Sequence, residues 1–87
     1  MSNKIDDLKK KIIYRSNYRG TKEMDKLLSS FTNKYINILN YAELKLLCDL
    51  LDNDDENLYK FNQGYEITVN MADNKVTKLF KNYVYGK

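Results

Sequence analysis

Apolar residues recur along this chain at spacings of three and four, interrupted by short polar corners. Ile5, Leu8 and Ile12 share one helical face, with Ile13 beside it, and predict a first helix near residues 4–18. Met24, Leu27, Leu28, Phe31 and Tyr35 predict a second near 21–38. Asn40 followed by Glu43 is a capping-box pattern, and it opens a third helix carrying Leu44, Leu47, Cys48 and Leu51. Asn53 precedes Asp54, Asp55 and Glu56, three acids expected in a first turn, where the helix dipole favours negative charge. That fourth helix is short, carries Leu58, Tyr59 and Phe61, and stops at Gly64. Asp73 is expected to cap a fifth helix, whose inner stripe is Val76, Leu79, Phe80 and Tyr83. Tyr65, Ile67, Val69 and Met71 instead alternate with polar residues, as a strand would, yet no second strand is evident to pair with them. Residues 64–72 therefore read as an extended strap with its apolar side on the helices. The expected fold is all-α: one helical domain over residues 1–87, a compact bundle of about five short helices.

Composition narrows what such a bundle can do. A chain of 87 residues buries roughly 60–65 % of its unfolded surface, so its core is thin and leaves little room for an interior cofactor. Histidine is absent, which removes the commonest general base and the commonest metal ligand. The single cysteine, Cys48, excludes an internal disulfide. Asp52 to Glu56 superficially suggest a calcium loop, but Asn57 would stand where the turn needs glycine and Gln63 where the bidentate acid belongs. No catalytic or metal site is expected, and no enzymatic activity. The acidic N-terminus resembles neither a signal nor a transit peptide, which points to a bacterial cytoplasm, and no stretch approaches the ~20 apolar residues of a membrane span. The expected state is a monomer; a dimer built by pairing two straps is the alternative. Net charge +3 and eight tyrosines raise nucleic-acid binding. Against it, several tyrosines fall on inner stripes, and the one basic run, Lys9 to Lys11, follows Asp6 and Asp7. Nucleic acid is not an expected partner, although weak binding stays open as an alternative.

One segment stands apart. Of 15 basic residues only Arg15 and Arg19 are arginines, and they lie within five positions of Gly20, one of three glycines. Guanidinium offers a planar fork of donors that lysine cannot mimic. At helical spacing Arg15 and Arg19 continue the stripe begun by Leu8 and Ile12, so the stripe turns cationic where the first helix ends. Two readings fit. Gly20 could cap the second helix with Glu23 as its reciprocal partner, while Arg19 pairs with Glu23 or Asp25 and Arg15 snorkels over the bundle end. Alternatively, the corner is a recognition surface, whether for a specific client or as a generic helical adaptor.

The run Tyr14-Arg15-Ser16-x-x-Arg19-Gly20-Thr21-Lys22-Glu23-Met24-Asp25 closely resembles the Arg-Gly-x-x-Glu signature of the succinate dehydrogenase assembly factors, the small flavinator proteins. The helix over Glu43–Leu51 and the stretch Leu51-Asp52-x-Asp54-Asp55-x-x-Leu58-Tyr59 also look like parts of that family, and the resemblance covers roughly residues 8–64. It implies a five-helix bundle that binds the flavoprotein subunit of succinate dehydrogenase or fumarate reductase. It further implies promotion of covalent FAD attachment to a histidine of that subunit, with no cofactor held stably by the factor itself. Arg19, Gly20 and Glu23 match the signature directly; Arg15 and Asp25 match its flanks. These five are the expected partner-binding residues. Relatives often carry a basic residue or histidine before the signature arginine, where this chain has Tyr18, and proline before the last helix, where it has none.

Overall fold

The computed structural model describes residues 4–17, 19–67 and 70–84 of the 87-residue chain. Its described residues form five α-helices and no strand: α1 (Lys4–Asn17), α2 (Lys22–Tyr35), α3 (Tyr41–Leu51), α4 (Asp55–Gln63) and α5 (Lys75–Lys81). The all-α bundle expected from the spacing of apolar residues is the observed architecture.

The helix starts are set by side-chain oxygens that accept from backbone N–H groups left without an intrahelical partner. Asn40 and Glu43 form the predicted capping box of α3, with Glu43 N–H donating to Asn40 at 2.9 Å and Asn40 N–H to Glu43 at 3.0 Å. Three other starts differ from expectation. Thr21, not Gly20, caps α2, and its hydroxyl accepts from Met24 N–H. Asp54, not Asn53, caps α4, leaving Asp55 and Glu56 in the first turn. Asn74, not Asp73, caps α5, in a second capping box with Thr77. In each case a residue one position later takes the role, and its side-chain oxygen accepts from the backbone N–H three residues further along the chain. At the other end, α2 stops at Tyr35 rather than residue 38, and residues 36–38 form a turn. Gly64 ends α4 as predicted, in the left-handed region at φ 84°, where a side chain would be strained.

α1 packs on α2 and α3, and α5 on α3 and α4. The core they enclose contains Ile12, Leu28, Phe31, Leu44, Leu47, Leu58, Val76 and Phe80, all without solvent exposure. Phe31 sits at its centre, with Phe80 and Tyr83 edge-on at ring-centroid distances of 5.2 and 5.3 Å. The buried Asn62 amide of α4 donates to the carbonyls of Phe80 (2.7 Å) and Tyr83 (2.9 Å), holding the end of α5 against α4. Among the described strap residues, 65–67 and 70–73 form neither helix nor strand. Met71 packs on the core and Ile67 is half-buried, but Tyr65 is exposed, so only part of the expected apolar side faces inward. Val69 lies outside the described residues, as does Tyr18.

Candidate functional site

The corner between α1 and α2 is built around one guanidinium. Arg19 lies just beyond α1, and its side chain is only 10 % exposed. Nε donates to Asp55 Oδ1 at 2.7 Å, Nη2 to the Asn53 carbonyl at 2.8 Å, and Nη1 to the carbonyls of Leu51 (3.0 Å) and Arg15 (3.2 Å). The forked donors thus satisfy the end of α1 and the α3–α4 turn together. Lysine, with a single ammonium on a flexible stem, could not reach all four acceptors in this plane.

Asp55 supplies the counter-charge and does more than pair. While Oδ1 accepts from Arg19, Oδ2 accepts from Gly20 N–H at 2.6 Å. This explains the glycine. A Cβ built on Gly20 would lie 2.9 Å from Asp55 Oδ2, inside normal contact distance, and the carboxylate is held in place by a donor on each oxygen. Close approach is the reason; Gly20 does not have a positive φ. Asp25 completes the frame by accepting from Arg19 N–H at 2.5 Å.

The five expected partner-binding residues therefore divide by position. Arg19 and Asp25 are turned inward as the corner's frame. Arg15 forms an ion pair with Asp52 across to the α3–α4 turn, with both side chains at least one-third exposed, a pair that contributes under ~1 kcal/mol. Gly20 and Glu23 are exposed. Glu23 is the second residue of α2 and not the reciprocal partner of a capping box, and it makes no ion pair among the described residues.

Beside the corner, the starts of α2 and α4 border a groove of about 690 Å³, lined by Thr21, Glu23, Met24, Asp55, Glu56 and Tyr59. The sequence predicts Asp55 and Glu56 as acids of a first turn and places Tyr59 on the short fourth helix without assigning it a face. The tyrosine is 46 % exposed. A signal for Asp55 was present: Asp52 to Glu56 hold four acids, more than the start of a nine-residue helix needs, and Arg15 had no counter-charge assigned. Among the described residues no cluster of acids and cysteine has the geometry to hold a metal ion, and no helix is long and apolar enough to cross a membrane.

A family model described as flavinator of succinate dehydrogenase matches residues 10–84, so the likeness extends through the strap and α5. The chain is 32 % identical over 82 residues to succinate dehydrogenase assembly factor 2-B, mitochondrial, of Drosophila mojavensis, covering 92 % of this chain and 52 % of that protein. It is 36 % identical over 75 residues to succinate dehydrogenase assembly factor 2, mitochondrial, of Scheffersomyces stipitis, covering 82 % and 50 % respectively. The chain thus spans about half the length of these curated relatives. No solved structure matches it. The expected bacterial cytoplasm is overturned: the matching curated relatives are all named as mitochondrial proteins of eukaryotes. Its basis, the absence of a leader-like pattern in the first residues, reports on local composition and not on compartment.

Proposed function

The chain belongs to the family of flavinators of succinate dehydrogenase, and from that membership we propose that it is an assembly factor for a flavoprotein subunit. The client is the flavoprotein of succinate dehydrogenase or of a fumarate reductase relative, and the effect is covalent attachment of FAD to it. The observation that carries this reading is the family signature itself, Arg19-Gly20-x-x-Glu23, folded into one internally braced corner whose outer face presents Gly20 and Glu23.

The chemistry belongs to the client. Joining a flavin methyl carbon to a histidine requires the two to be held in register, and alignment alone can supply a large part of such a barrier. A small bundle assists by binding one arrangement of the client more tightly than others, which shifts its population. The factor is then a docking partner, acts on FAD attachment without stably holding FAD, and is not itself the catalyst. In this reading Arg19 and Asp25, with Asp55, set the shape of the corner; Gly20, Glu23 and the exposed part of Arg15 meet the client.

Glu23→Ala is the informative substitution, because among the described residues Glu23 makes no ion pair and caps no helix. Gly20→Arg would also displace Asp55 and so confound docking with stability. On co-expression with the client flavoprotein, Glu23→Ala should lower the flavin fluorescence retained on a denaturing gel while its unfolding free energy stays within about 0.5 kcal/mol of that of the unaltered chain. Equal covalent flavin with and without the protein would refute the function; undiminished flavin with Glu23→Ala would remove Glu23 from the docking surface.

A further inference from the structure

We infer that the groove between the starts of α2 and α4 takes an extended segment of the client that presents a lysine or arginine next to an apolar side chain. This rests on the assembly-factor reading and adds to it a surface that runs from Glu23 of the signature onto the α4 side of the corner. The groove's volume of about 690 Å³ is in the range of sites that enclose several side chains. The exposed Tyr59 supplies apolar surface over a floor that the largely buried Met24 contributes to, and Glu23 and Glu56 are exposed carboxylates beside it.

The sign of the occupant follows from how the two helix starts are used. An uncapped helix N-terminus favours an anion. Here the Met24 and Asn57 N–H groups are already taken by Thr21 and Asp54, and Gly20 N–H is taken by Asp55. Among the described residues the groove is lined by three carboxylates and no cationic side chain. Of these, Asp55 is consumed by Arg19 and Gly20, whereas Glu56 is shared only with the surface Lys60, at 3.0 Å, and Glu23 is free of ion pairs among the described residues. A cation on the client would bind Glu23 and Glu56, with its stem or its neighbour over Tyr59, an aromatic face that itself attracts cations. The same carboxylates oppose the pyrophosphate of free FAD, which makes a polypeptide the fitting occupant.

The test uses the full chain with the FAD-loaded client flavoprotein. A photo-crosslinking phenylalanine analogue replaces Tyr59 in one variant and, in a control, Ile38, which is exposed beyond the far end of α2, ~20 Å from the start of that helix. Crosslinking from position 59 but not 38, to a client peptide with a basic and an adjacent apolar residue, is expected. Glu56→Lys should weaken client binding about tenfold, with Glu56→Gln intermediate and both retaining the helical circular dichroism of the unaltered chain. Normal promotion of covalent flavin with no crosslink at 59, or with a crosslink to an acidic segment, overturns the groove and leaves the function standing. Failure of the unaltered chain to bind the flavoprotein overturns the function, and the groove's assignment with it.

Discussion

Asp55 gives each carboxylate oxygen to a different donor, one a buried guanidinium and the other a backbone amide. Removing it leaves Arg19 charged, largely buried and short of its counter-ion, so Asp55→Ala should cost about 2–3 kcal/mol in urea unfolding. Gly20→Ala should cost about 1 kcal/mol, because the added carbon must push the pinned oxygen aside. In the double variant most of the Gly20→Ala cost should vanish, since nothing remains to be displaced; additive costs would disprove the link between the two residues. At this scale the sequence makes half of the site legible. Arg15, Arg19, Gly20 and Glu23 stand out by scarcity and by spacing along one helix-turn-helix. Asp55 lies 35 positions from Gly20, and one-dimensional periodicity carries no information on which acid crosses the fold to meet which arginine.

Helix starts and inter-helix ties hold the elements in place, and Glu43 serves both. Its carboxylate accepts from Asn40 N–H at the start of α3 and pairs with Lys75 of α5 at 2.9 Å. The Asn40 backbone bond first, and then Lys75, hold the Glu43 carboxyl below its ordinary value of 4.5, against a smaller opposing effect of desolvation. A carboxyl whose pKa is lowered on folding stabilises the fold above its unfolded value, and that contribution is lost as pH falls through the folded value. Stability should therefore decline below about pH 4.5, and Glu43→Gln should flatten that decline when unfolding is followed between pH 6 and pH 3. An unchanged slope in the variant would rule out this role. Element type and order were legible because apolar spacing of three and four reports buried faces directly. The cap positions shifted by one residue at Thr21, Asp54 and Asn74, because neighbouring polar residues have similar capping propensity and only backbone direction chooses among them.

Across the whole molecule, two long-range ties close the chain on itself: Arg19 and Gly20 to the start of α4, and Asn62 to the end of α5. Helix α4, only nine residues long, is thereby fastened at both ends. The strap before α5 was legible as non-helical from its alternation, but not its facing, because the polar–apolar alternation cannot say whether Tyr65 meets the core or water. The bond from Gly20 N–H to Asp55 also gives this architecture a built-in reporter. An amide on an exposed glycine ordinarily exchanges its hydrogen with solvent quickly, but this one is held at 2.6 Å by a carboxylate from across the fold. Its proton should resonate downfield of the other glycine amides and exchange slowly, at a rate set by the release of α4 from the corner. The exchange rate of that one hydrogen, followed by NMR with and without the client flavoprotein, would time the opening of the bundle at the surface where the client is proposed to dock.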